Sequence, residues 1–88
     1  MKEIIFYELL NFEEVKEVFS DTRIKELLQG WLDENGVDVL VSILNLGSDH
    51  VSLNIDYFFD KDKDVLKIQK LTEMLLDKLH IKYKLEVE

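Results

Sequence analysis

The sequence predicts one α+β domain over residues 1–88, with a four-stranded antiparallel sheet and two helices covering one of its faces. Several stretches place apolar residues at every second position, as strands do, and the stretches between them repeat apolar residues at helical spacing. A chain of 88 residues that is 47% apolar and 34% charged has the balance of a single globular core.

The first element, over residues 2–10, is predicted to be a strand. Ile4, Ile5, Phe6 and Tyr7 form a cluster of the β-branched and aromatic residues that favour strands. A long N-terminal helix is the competing interpretation, because apolar residues also recur here at helical spacing, namely Ile5, Leu9, Phe12 and Phe19.

A helix is predicted to begin at Asn11. Asn11 and Glu14 have the spacing of a capping box, and Leu10 and Val15 occupy the positions of a hydrophobic staple. We therefore expect the Asn11 side chain to cap the first turn.

The apolar stripe of this first helix changes phase at residues 20–22. The change predicts a helix that is kinked or split near Ser20-Asp21, with a new cap at one of these two residues. Asn35-Gly36 should end the second piece, because both residues tolerate the left-handed conformation.

A β-hairpin is predicted from alternating residues in 37–43 and 51–59, joined through Gly47-Ser48-Asp49. An odd loop that pairs Leu46 with His50 makes four apolar residues face away from the helices: Leu40, Leu44, Leu46 and Phe58. A two-residue loop at Gly47-Ser48 turns the Val/Ile set outward instead. The sequence leaves both registers open.

The last helix and strand follow residue 60. Helical spacing of Val65, Ile68, Leu71, Leu75 and Leu79 precedes an alternating strand from Ile81 to Val87. The resulting order, βαββαβ, resembles the ferredoxin-like superfold. This topological resemblance spans the chain, and in that fold the second strand would lie at an edge of the sheet, open to another chain.

The charge of the chain is strongly unbalanced. The net charge is −8, and residues 1–60 hold 13 acidic and 4 basic side chains, a difference of −9. Such a segment repels phosphate backbones and anionic membranes, so we expect no direct nucleic-acid or membrane binding. A basic protein surface would be attracted instead.

No motif for catalysis or metal binding is recognisable. Without Cys there is no disulfide, thiolate zinc site or cysteine nucleophile. Asp60, Asp62 and Asp64 have the spacing that opens an EF-hand loop, but Val65 and Leu71 replace its Gly and its bidentate Glu. We predict a protein that is not an enzyme and holds no metal or cofactor.

Two surfaces are candidates for partner binding. Glu13, Glu17 and Asp21 recur every four residues and would form a charged row if one helix continued through them. The predicted acidic face, which could imitate a row of phosphates, comprises Glu13, Glu14, Glu17, Asp21, Asp33, Glu34 and Asp38. A solvated face that aids solubility is the alternative. The predicted docking or dimer surface comprises Leu40, Leu44, Leu46 and Phe58.

The leading hypothesis from these surfaces is an inhibitor or modulator that occupies a basic, nucleic-acid-binding surface on another protein. In size, acidity and lack of motifs the chain is similar to the small phage and archaeal-virus inhibitors of host defence, anti-CRISPR proteins among them. The alternative is a homodimeric assembly or ligand-sensing module that uses strand two and the open sheet face. Neither a leader nor a run of ~20 apolar residues is visible, so we expect a cytoplasmic protein.

Overall fold

The computed structural model describes residues 2–47, 50–58 and 62–86. Within them, four strands and three helices follow one another as β1 (Lys2–Leu9), α1 (Phe12–Val15), α2 (Asp21–Glu34), β2 (Leu40–Asn45), β3 (Val51–Phe58), α3 (Asp62–Lys78) and β4 (Tyr83–Glu86). The predicted α+β class and the four-stranded antiparallel sheet are confirmed. None of the helices in these ranges is long and apolar enough to cross a membrane.

The strands lie in the order β2-β3-β1-β4, and each pairs antiparallel with its neighbour. Ile55 of β3 lies opposite both Ile5 of β1 and Val41 of β2, while Tyr7 lies opposite Leu85 of β4. Because side chains alternate along a strand, odd-numbered residues of all four strands share one face. β2 and β4 form the two edges.

The core lies between that odd-numbered face and the helices. Ile24, Leu28 and Leu32 of α2 and Ile68 and Leu76 of α3 are buried in one cluster with the odd-numbered strand residues. The indole of Trp31 donates to the Leu71 carbonyl over 2.8 Å, which links α2 to α3. Both long helices therefore cover the same face of the sheet.

The N-terminal segment is a strand, as predicted, and the competing helix is wrong. Ile5, Tyr7 and Leu9 are buried, whereas Ile4 is 44% exposed. Pairing with β3 on one side and β4 on the other satisfies the backbone of β1. These long-range partners decide between the two periodicities present in the segment.

The predicted capping box at Asn11 is wrong. No hydrogen bond from the Asn11 side chain caps α1; its amide nitrogen instead donates to the His80 carbonyl, and its oxygen accepts from the Lys82 amide over 2.9 Å. Leu10 is 55% exposed, whereas a hydrophobic staple would bury it against Val15. Two bonds to the chain before β4 have replaced one local cap.

The break in the first helix is confirmed. α1 is a single turn, and α2 begins after Ser20, whose hydroxyl accepts a hydrogen bond from the Arg23 amide over 3.1 Å. The end of α2 is also as predicted. Gly36 has φ 74°, and the Val37 amide reaches back to the Leu32 carbonyl over 2.9 Å.

The hairpin takes the odd-loop register. The Leu46 amide donates to the His50 carbonyl over 2.9 Å, and Asn45 lies opposite Val51. The two-residue loop is therefore wrong, although Ser48 and Asp49 themselves lie outside the described residues. β2 starts at Leu40, later than predicted, but Val37 before it is still buried. The predicted strand residues Phe59 and Val87 also lie outside the described ranges.

Candidate binding surfaces

One face of the sheet has no helix over it in the described part of the chain. We call it the open face, and it consists of even-numbered strand residues. Its described side chains are Ile4, Phe6, Glu8, Leu40, Ser42, Leu44, Ser52, Asn54, Asp56, Phe58, Lys84 and Glu86. The exposed apolar members do not serve the core, because they point away from it.

Three of these apolar residues gather at one end of the open face. Leu40, Asp56 and Ile4 lie opposite one another across β2, β3 and β1, and Phe58 follows two residues after Asp56. Leu40 is 60% exposed and Phe58 is 67% exposed. A hollow of about 370 Å³ lies beside them and is also lined by Asp38.

The predicted docking residues are thus in two places. Leu40, Leu44 and Phe58 lie on the open face, with Leu44 47% exposed, while Leu46 lies past the end of β2 and is 72% exposed. Sequence reasoning missed Ile4, which lies on the open face on the other side of Asp56 from Leu40. Alternation in β1 carried that signal, because Ile4 falls between positions suited to the core.

The outer edge of β2 is partly closed by a side chain of α2. The Gln29 amide nitrogen donates to the Val39 carbonyl over 2.9 Å, and the Val41 amide donates to Gln29 Oε1, also over 2.9 Å. Gln29 thereby bonds the backbone as a neighbouring strand would. Nothing in the local sequence pointed to this contact, since it depends on where α2 packs.

Beyond Val41 no other described segment pairs with this edge. Antiparallel pairs alternate between bonded and non-bonded positions. The Leu46–His50 bond therefore assigns even-numbered residues of β2 to β3 and turns the odd-numbered backbone groups outward. Among the described residues, the outward N–H groups of Ile43 and Asn45 have no hydrogen-bond partner.

The predicted acidic face does not form one row. Glu13 and Glu14 lie in α1, Glu17 follows its end, and Asp21 is the first residue of a separate helix, α2. Because α1 stops at Val15, the spacing of four residues does not align these carboxylates on one helix. Glu13 is bound by Lys16 over 2.7 Å.

The remaining acidic residues lie at the other end of α2. Asp33 and Glu34 are about 18 Å along the helix from Asp21. Asp38 lies in the segment before β2. The last turn of α2 holds no basic residue, so its two carboxylates adjoin the negative end of the helix dipole, an unfavourable position. The seven residues therefore form two groups along the chain, residues 13–21 and 33–38, in which all but the partly buried Asp21 are exposed.

The most connected polar cluster is structural. Tyr7 is fully buried and donates to Glu73 Oε2 over 2.9 Å, and Tyr83 donates to Glu73 Oε1 over 3.3 Å. The two rings meet edge to face with centroids 5.6 Å apart. Burial and the Glu73 carboxylate raise the pKa of Tyr7, and burial with the nearby Glu73 and Asp77 charges raises the pKa of Tyr83 to about 12.

The two histidines lie in turns at the ends of regular elements. His80 has φ 60° in the turn that ends α3, where its carbonyl accepts from Asn11, and His50 is exposed beside the hairpin loop. No group of three potential His, Asp or Glu ligands for a metal comes together within residues 2–47, 50–58 and 62–86. Asp60, from the partial EF-hand pattern, lies outside those ranges, and the side chains of Asp62 and Asp64 are not among those described.

No protein-family model, no curated protein and no solved structure matches this chain.

Proposed function

We propose that this protein is a small cytoplasmic binding module without catalytic activity, which docks on another protein surface through the open face of its sheet. The exposure of Leu40, Leu44 and Phe58 on a face without helices is the observation that carries the proposal. Leu40 lies opposite Asp56, two residues from Phe58, and exposed apolar side chains grouped in this way are characteristic of docking sites.

A ferredoxin-like fold is part of the proposal. The strand order β2-β3-β1-β4, antiparallel pairing throughout and packing of both long helices on one face support it. In this arrangement the second face of the sheet is left for a partner, and side chains from three adjacent strands contribute to it. Function then depends on that surface rather than on the fold itself.

A second candidate function is docking on a basic protein surface, as an inhibitor that imitates nucleic acid. The acidic residues at the C-terminal end of α2 favour it, because Asp33 and Glu34 do not stabilise the helix dipole there. The end of α1 at Val15 argues against this second function and favours docking through the open face. A row of phosphates has regular spacing, which two separate acidic groups do not reproduce.

Affinity capture from the source cell with matched variants distinguishes the two functions. Ile4→Lys with Phe58→Lys places charge on the open face but leaves β2 unchanged, whereas Asp33→Lys with Glu34→Lys reverses charge at the C-terminal end of α2. If the open face binds, the first pair abolishes capture, and the second pair and added salt have little effect. Loss only with the second pair, together with release by salt, supports the acidic function. Capture unaffected by either pair overturns both.

A further inference from the structure

The edge of β2 combines open backbone groups with an absence of charge. Residues 40–46 contain no Asp, Glu, Lys, Arg or His, in a chain that is 34% charged. Edge strands usually carry a charge, a proline or a bulge that prevents pairing with another chain. The corresponding protection here is Gln29, and it reaches only as far as Val41.

The net charge of the chain points to where two copies can meet. At −8, copies repel one another, and contact through either acidic group would bring carboxylates together. The uncharged residues 40–46 avoid this repulsion. An antiparallel edge is also complementary to itself, because rotation about a two-fold axis presents donors to acceptors on both sides.

We propose that β2 pairs antiparallel with β2 of a second copy, about a two-fold axis within residues 43–45, which joins two four-stranded sheets into one. The inference goes beyond the proposed function, since it assigns the edge of β2, rather than the open face, to a second copy. Gln29 keeps its bonds in this arrangement and confines the pairing to the second half of the strand.

Two positions of the axis fit the outward groups. An axis at Ile43 pairs Ile43 with Ile43 of the second copy. The Asn45 N–H then donates to the Val41 carbonyl of the second copy. An axis at Leu44 makes Ile43 and Asn45 exchange hydrogen bonds. In both positions the N–H groups of Ile43 and Asn45 are donors, and the Val41 N–H remains with Gln29.

The side chains support the same partner. With the axis at Ile43, Leu40 lies opposite Leu46 of the second copy. With the axis at Leu44, Leu44 lies opposite Leu44 of the second copy. These leucines are 47–72% exposed in the single chain. Pairing therefore removes apolar surface from water on both copies while it satisfies backbone donors.

Sedimentation equilibrium of Asn45→Pro against Asn45→Ala tests the pairing. Both variants lose the side-chain bond to the Gly47 amide, but only proline removes the outward N–H, and neither affects the ladder to β3. We expect the wild type and Asn45→Ala to be dimers, and Asn45→Pro to dissociate with a Kd at least ~10-fold higher. Circular dichroism verifies that each variant is folded.

Hydrogen exchange of the wild type provides a measurement that needs no variant. The Ile43 and Asn45 amides should become protected as protein concentration rises, while the Leu44 amide, bonded within the sheet, is protected throughout. Ile43→Pro against Ile43→Ala repeats the comparison if Asn45→Pro does not fold.

A wild type that stays monomeric at high concentration, or a dimer whose Ile43 and Asn45 amides exchange freely, overturns the inference. The proposed function fails separately, because Ile4→Lys with Phe58→Lys alters β1 and β3 only. A monomer whose capture depends on the open face keeps the function and loses the inference. A β2 dimer whose capture is unaffected by those lysines keeps the inference and loses the proposed function.

Discussion

The Tyr7 hydroxyl donates a hydrogen bond to Glu73 Oε2 over 2.9 Å, from a side chain with no exposed surface. Tyr7 lies in a central strand, and Glu73 lies in the helix above it. The same carboxylate accepts from Tyr83 in β4 over 3.3 Å. One acidic side chain thus ties α3 to both strands beneath it, and this contact gives two tests of the fold.

Tyr7→Phe should lower the free energy of unfolding by about 1–3 kcal/mol, because the substitution removes a buried hydrogen bond to a charged group. Tyr83→Phe is the matched control and should cost less, since its bond is longer and its ring is partly exposed. Urea unfolding of the two variants measures the difference. Equal stability of Tyr7→Phe and wild type would show that the bond does not stabilise the fold.

Stability should fall above about pH 10, where an unperturbed Tyr loses its proton. The pKa values of Tyr7, Tyr57 and Tyr83 are all raised, chiefly by burial, and that of Tyr83 reaches about 12. Between pH 10 and 12 the unfolded chain therefore releases protons that the folded chain holds, which favours unfolding. Absorbance near 295 nm should report tyrosine ionisation together with loss of helical circular dichroism. Ionisation at pH 10 with the fold intact would contradict the burial of these phenols.

The fold class and the helix break follow from the sequence, but several contacts do not. Alternation placed Val41 and Leu53 in the two strands of the hairpin, and the phase change placed the cap at Ser20 or Asp21, of which Ser20 is the cap, because both signals are local. Asn11 also has a local signal, yet its side chain bonds residues 69 and 71 positions away. Sequence patterns cannot register a partner whose position depends on the finished sheet.

Some features of the candidate surfaces also follow from the sequence, and others depend on the folded structure. Exposure of Leu40 and Phe58 follows from strand parity once the register is known. The row of carboxylates through Glu17 required a continuous helix, and the chain turns after Val15. Gln29 gave no signal, because a glutamine on a helix is ordinarily a solvated residue.

Gln29→Glu should destabilise the protein more than Gln29→Met at pH 7. Methionine leaves the Val39 carbonyl and the Val41 amide with water as their only partner, which should lower the free energy of unfolding by about 1 kcal/mol. Glutamate keeps the acceptor for the Val41 amide, but its second oxygen faces the Val39 carbonyl and the Asp33 carboxylate, which repel it. In the wild type both of these groups accept from Gln29, Asp33 over 3.2 Å. Below about pH 4 a protonated Glu can donate again, so the order should reverse. Thermal unfolding across pH checks this, and identical profiles would contradict the contact.

Asn11→Ala and Glu14→Ala distinguish the long-range role of Asn11 from a capping box. In a capping box both side chains bond backbone amides, so both substitutions would destabilise by similar amounts. The Asn11 side chain instead accepts from the Lys82 amide and donates to the His80 carbonyl. We therefore expect Asn11→Ala to lower the free energy of unfolding by about 1–2 kcal/mol and Glu14→Ala to change it by under about 0.5 kcal/mol. Denaturant titration measures both, and faster exchange of the Lys82 amide in Asn11→Ala locates the effect before β4. A loss in Glu14→Ala as large as in Asn11→Ala would restore the local cap.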